Sequence, residues 1–310
     1  MNTSSSLHKL IITLTALSSL FVFGACAELE QDEEINSVEK VIGGQVVRNA
    51  PDHVGVLLVG STELDSFCTA TLIDNDSILT AAHCWGNTEE DKALMRQAVD
   101  LGLVFVCLGD RDWDKKQGLY CSRGNLAQVT DFEVHDKYST DPNRHDVSVA
   151  QLGSSFPNIS KPQLASRANH IKGNTQSYGY GLKKTRVLSI DTQTGEVETQ
   201  NPGRVDSKLR VLNRSTLSTA ECNNQIDGLN VDWEGVDQSN ICLNVNRRNN
   251  LCHGDSGGPT FINGRLAGVT SRGTFNVNAR RGIARTCDGS GPTVLMNVRK
   301  FRSWIQRKAR

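Results

Sequence analysis

The chain carries no surplus charge of either sign: 34 Lys and Arg stand against 34 Asp and Glu over 310 residues. It therefore exerts no strong electrostatic pull on nucleic acid, and no nucleic-acid partner is expected. Aromatic residues make up only 5% of the chain, while glycine occurs 27 times. That balance speaks against a helical bundle and for short strands joined by tight turns. None of the nine cysteines stands in a C-x-x-C pair, so the usual zinc and redox spacings are missing. No metal and no cofactor is expected. The one long apolar run, residues 10–25, follows Lys9 and leads into the small residues Gly24-Ala25-Cys26-Ala27. It is short for a retained membrane span and reads as an export signal, residues 1–25.

Residues 26–40 are acidic and polar, with Glu28, Glu30, Asp32, Glu33, Glu34 and Glu39, and read as a tether or pro-segment. About 270 residues then remain, enough for one or two compact domains with ample core. Strand-like runs cover 54–59, 68–73, 78–82, 103–108, 127–134 and 147–152 in the first half. In the second half they cover 175–180, 208–212, 240–243, 259–262, 266–271 and 293–298. Residues 88–101 break this pattern. Thr88 suits a helix cap, Glu89-Glu90-Asp91 suit a first turn, and Ala93, Leu94, Ala98 and Leu101 recur at helical spacing. A helical insertion is predicted there. Polar residues 183–204 read as a long exposed loop. Residues 298–308, with Phe301, Trp304 and Ile305 on one face, predict a terminal helix.

The chemistry concentrates in Gly254-Asp255-Ser256-Gly257-Gly258-Pro259. A serine hydroxyl is a poor nucleophile at neutral pH. It needs a positioned base and backbone donors for the oxyanion that forms. Glycines on both sides of Ser256 allow close backbone approach. His83, in Thr80-Ala81-Ala82-His83-Cys84, fits the base. Asp146, directly before the apolar run that starts at Val147, fits the group that fixes its tautomer. The same glycine spacing suits the elbow of α/β-hydrolases, whose triad runs Ser, acid, His. The 54 residues after Ser256 contain no histidine, which rules that order out. The order His83, Asp146, Ser256, read with Val41-Ile42-Gly43-Gly44, resembles the chymotrypsin/trypsin-type serine proteases from Val41 to Arg310. Ser148 and Gln151 depart from the family's Asp-(Ile/Val)-Ala-Leu pattern.

The resemblance implies an all-β fold: two six-stranded antiparallel β-barrels, residues 41–165 and 166–310, with the triad between them and a short C-terminal helix. It implies oxyanion donors at the Gly254 and Ser256 amides. It also implies a zymogen. Cleavage after Lys40 would release the Val41 ammonium to pair with buried Asp255, which is costly to hold unpaired. The implied disulfides are Cys68–Cys84, Cys222–Cys242 and Cys252–Cys287; Cys107 and Cys121 remain to close a local loop. The pocket floor, six residues before the serine, is Asn250 rather than an acid, with Ser271, Gly273 and Thr293 around it. Small or medium uncharged side chains are expected before the scissile bond. Activation after a lysine then calls for a separate trypsin-like protease, beside a protein or peptide substrate. The 13 residues between Gly273 and Cys287 make a longer loop than usual.

Two cleavages compete at the signal. Ala25-Cys26-Ala27 fits a cut after Ala27, whereas Val22-Phe23-Gly24-Ala25-Cys26 resembles a bacterial lipobox with lipid placed on Cys26. The odd ninth cysteine suits the second reading. An exported protein follows in both cases, either secreted or lipid-anchored to the outer membrane or cell surface. Asp110, Asp112 and Asp114 alternate as in an EF-hand, but Lys115 and Cys121 stand where Gly and Glu are needed. Two other functions stay open: a catalytically inactive homologue acting as a binding protein, and a hydrolase of another acyl substrate.

Overall fold

The computed structural model describes residues 42–114, 116, 119–140, 144–182, 187–190, 197–201, 207–229, 235–273, 275–278, 283–287 and 289–309. The export signal, the tether, Cys26, Lys40 and Val41 lie outside them. After a two-residue strand, β1 (Gln45–Val46), six strands form the first barrel. They are β2 (Val54–Val59), β3 (Asp65–Leu72), β4 (Ser77–Thr80), β5 (Val104–Leu108), β6 (Asn125–Val134) and β7 (Ser148–Leu152). The barrel closes in the order β2-β3-β4-β7-β6-β5. In β6 the inward residues are Ala127, Val129 and then Phe132. The step from odd to even coincides with a register shift between Val129 and Asp131, as an inserted residue requires.

A 3-10 turn (Ala82–Trp85) follows β4. Trp85 is fully buried and stacks on Phe132, with ring centroids 4.3 Å apart. The predicted insertion is α1 (Glu89–Asp100). Its start is fixed locally: Asp91 N donates to Thr88 Oγ1 at 3.0 Å and Thr88 N donates to Asp91 Oδ2 at 3.1 Å. Arg96 lies over the Phe132 ring at 4.3 Å and pins the helix to the barrel beside the turn that carries His83.

The second half contributes β8 (Asn174–Gly179), β9 (Val187–Ile190), β10 (Val197–Asn201), β11 (Arg210–Leu217), β12 (Asn240–Leu243), β13 (Pro259–Ile262), β14 (Arg265–Arg272), β15 (Phe275–Asn278), β16 (Ile283–Thr286) and β17 (Thr293–Asn297). The strands β8, β11, β12, β17, β14 and β13 close a second barrel, to which β1 adds. One expectation is corrected. The reading of residues 183–204 as a loop gives way to the hairpin β9–β10, which joins the hairpin β15–β16 in a four-stranded sheet through Ile283↔Ser189. Each hairpin alone would be marginal. The stabilising partner comes from the other insertion, so local sequence gave no sign of it.

A second helix, α2 (Thr219–Asp227), escaped the sequence reading. Its signal is the capping box Ser218 to Glu221, weakened by a polar, short apolar stripe. The terminal helix α3 (Val298–Lys308) buries Phe301, Trp304 and Ile305. These pack in one core with Phe132, Val149 and Ala150 of the first barrel, and Gln151 Nε2 donates to Lys308 O at 2.8 Å. Four disulfides brace the fold: Cys68–Cys84, Cys107–Cys121, Cys222–Cys242 and Cys252–Cys287. Each contributes about 2–4 kcal/mol in the chain-entropy account and requires an oxidising compartment.

Candidate active site

His83 and Asp146 meet because two short local structures aim them at each other. The 3-10 turn after β4 presents His83. Asp146 follows His145, whose φ is +54°, and Val147 N donates to His145 O at 2.8 Å. This tight turn points the Asp146 carboxylate inward, where it is fully buried. Three donors converge on it: His83 Nδ1 at 2.7 Å, His83 N at 2.8 Å and Ser271 Oγ at 2.6 Å. Burial works to raise the Asp146 pKa. The His83 charge and these hydrogen bonds outweigh it, leaving the carboxyl below its ordinary value. Burial works to lower the His83 pKa, and the Asp146 charge with its hydrogen bond carries it above the ordinary value. The His83 side chain keeps 18% exposure, so it is reachable from solvent on its other edge. Ser271, expected around the pocket, puts its hydroxyl on Asp146. No local signal marks this, since the two are 125 residues apart.

The Ser256 turn is tied to the first barrel by Thr69 of β3, another residue that the sequence did not single out. Thr69 N donates to Ser256 O at 2.8 Å, and Thr69 Oγ1 donates to Gly254 O at 2.7 Å. Thr69 adjoins Cys68, whose disulfide partner Cys84 adjoins His83. Gly257 has φ +78°, and a Cβ there would sit 1.9 Å from Thr80 Oγ1. Only glycine fits. The amides alternate in use. Those of Asp255, Gly257 and Gly258 donate to Cys252, Thr270 and Asp255 carbonyls. Among the described residues, the Gly254 and Ser256 amides have no internal acceptor. No hydrogen bond joins the Ser256 hydroxyl to the His83 ring among the described residues; such contacts often tighten only around substrate.

Asp255 is fully buried. It accepts Gly181 N and Cys252 N, both at 2.8 Å. Burial pushes its pKa up to about 7, against the pull of these two amides and of the Arg210 charge. Ile42, the residue after Val41, is buried with Leu182, Cys252 and Cys287, and its carbonyl accepts Asn250 N at 2.8 Å. Gly43 has φ +83°, and a Cβ there would come within 1.9 Å of Arg248 O.

Asn250 is completely buried, and Thr293 is 1% exposed. Thr293 Oγ1 and Leu251 N both donate to Asn250 Oδ1, at 2.7 and 2.8 Å. That fixes the amide orientation and leaves Nδ2 buried without a partner among the described residues. Gly273 borders open space: a Cβ there would meet nothing nearer than Leu251 O at 4.0 Å. In the EF-hand-like stretch, the Asp110 oxygens accept Asp112 N and Arg123 N, and Asp112 accepts the Ser207 hydroxyl. Internal donors thus occupy these carboxylates.

The Trypsin family model matches residues 41–305. Brachyurin of Leptuca pugilator is 26% identical over 86% of this chain and 97% of its own length. Trypsin iota of Drosophila melanogaster is 26% identical over 89% and 91%. Chymotrypsin of Phaedon cochleariae is 25% identical over 90% and 85%.

Proposed function

The chain belongs to the trypsin family of serine endopeptidases, and we propose that it cleaves protein or peptide substrates through Ser256, His83 and Asp146. The observation that carries this reading is the convergence of three donors on buried Asp146, with His83 Nδ1 among them at 2.7 Å. With Nδ1 donating to Asp146, the His83 Nε2 lone pair is free to accept the Ser256 proton as Oγ attacks the substrate carbonyl. The imidazolium that forms is stabilised by the carboxylate. The unused Gly254 and Ser256 amides hold the oxyanion, each such donor being worth about 10²–10³ in rate. His83 then protonates the departing amine. Water, activated by the same base, releases the acyl group from Ser256. Ser271 acts through Asp146 and positions it.

The sealed floor supports a preference for small or medium uncharged side chains before the scissile bond. Thr293 closes the slot above Asn250, and neither residue offers a negative charge to a lysine or arginine. Ile42 docks against Cys252, whose amide donates to Asp255; this supports activation by cleavage after Lys40, and the pocket preference assigns that cut to another, trypsin-like protease. Export, with the protein either released to the medium or held at the outer membrane or cell surface by lipid on Cys26, completes the proposal. The test is labelling by a fluorophosphonate probe. Purified precursor should label weakly, trace trypsin should raise labelling and peptidase activity together, and Ser256→Ala should abolish both. Strong peptidase activity in Ser256→Ala would overturn the assignment.

A further inference from the structure

Away from the catalytic cleft, α3, residues 135–137, His145 and residues 237–239 line a second, open cleft of about 730 Å³. Four lining residues carry aromatic rings, and the others are polar or charged. His135 and His145 stack with ring centroids 5.2 Å apart. Phe301 meets both edge-on, at 5.3 and 5.8 Å, and Trp304 lies 5.0 Å from His135. Among the described residues, His145 Nδ1 and Trp304 Nε1 are buried with no hydrogen-bond partner, although buried polar groups are normally paired.

The charge around these rings is lopsided. The helix α3 contributes five Lys and Arg and no acid. Lys308 pairs with Glu133, and Lys300 donates to Gln238 Oε1 at 2.8 Å. Lys137 and Arg307 line the cleft and are exposed, and their side chains make no hydrogen bond or ion pair among the described residues; the Lys137 backbone N donates to His135 Nδ1 at 3.2 Å. Both bear on His135, whose pKa is lowered first by burial, then by His145, and further by these two cations, against Asp136. Of the two carboxylates at the cleft, Asp237 is engaged by Ser239 N and Oγ. Both carboxylates line the cleft beside Lys137, Lys300 and Arg307.

We propose that this cleft binds a small aromatic anion, a flat ring bearing a carboxylate or sulfonate. The ring lies against the half-buried His135–His145 stack, and the anionic group meets Lys137 and Arg307. Because His145 immediately precedes Asp146, the ligand's contacts end one residue from the carboxylate that orients His83.

The test uses full-length protein and the dye 8-anilinonaphthalene-1-sulfonate, read by energy transfer from tryptophan. Saturable binding is expected. Charge reversal in the Lys137→Glu, Arg307→Glu double variant, at two exposed positions, should weaken it by about tenfold or more. Trp304→Phe should cut the transfer while binding persists. Naphthalene-1-sulfonate should displace the dye, and neutral naphthalene-1-methanol should not. Absence of saturable binding, unchanged affinity in the charge-reversed variant, undiminished transfer in Trp304→Phe, or equal displacement by the neutral alcohol would each overturn the proposal.

Discussion

The burial of Asp255 makes a quantitative prediction about the precursor. Its carboxyl is held at about 7 against an ordinary value of 3.8. Below about pH 4, folded and unfolded chains both keep this proton. Between the two values the unfolded chain releases it and the folded chain retains it, so stability falls as pH rises. The gap of about 3 pH units, at about 1.4 kcal/mol each, amounts to about 4 kcal/mol. In the proposed activation, cleavage after Lys40 would supply the Val41 ammonium as a partner, and the loss should then largely disappear. The experiment uses Ser256→Ala protein, which cannot digest itself, before and after cutting with trypsin. Urea unfolding at pH 4.5 and 7.5 gives the stability of each form. His83 and Asp146 are common to both, so the difference between the two pH profiles isolates the Asp255 pair. We expect the precursor to lose several kcal/mol more than the cut form over this interval, and Asp255→Asn to remove most of that excess. Parallel profiles in cut and uncut protein would refute the reasoning, because they would mean that Val41 never pairs with Asp255.

The other predictions address catalysis, pocket and anchoring. His83→Ala should reduce peptidase activity to near background, and Asp146→Asn should reduce kcat by about 10⁴-fold by holding the wrong imidazole tautomer; near-normal turnover in either would remove the triad. Thr293→Gly should open the slot above Asn250, exposing its unpartnered Nδ2. Longer uncharged side chains, glutamine above all, should then gain about fourfold in kcat/KM for each buried methylene, whereas an unchanged cleavage profile from a substrate library would count against the sealed floor. Mature protein should enter the detergent phase, and Cys26→Ser should stay aqueous; a mature N-terminus at Glu28 would end the lipid-anchor reading.

Features that rest on neighbours in the chain were legible from sequence. Thr88 and Asp91 cap α1 across three residues, and Phe301, Trp304 and Ile305 define the buried face of α3. The glycines flanking Ser256 and the order of His, Asp and Ser identified the family. Other features belong to the tertiary structure alone. Ser271 reaches Asp146 across 125 positions, and Thr69 holds Gly254 across 185. Thr293 seals Asn250 across 43, and β9 finds β16 in a different insertion. The division has a physical cause. Caps, turns and amphipathic faces are set by torsions and contacts within a few residues, so composition and spacing encode them directly. A long-range hydrogen bond depends on where two strands arrive after both barrels close. A serine or threonine carries the same donor and acceptor wherever it stands, and only its surroundings decide which group it serves.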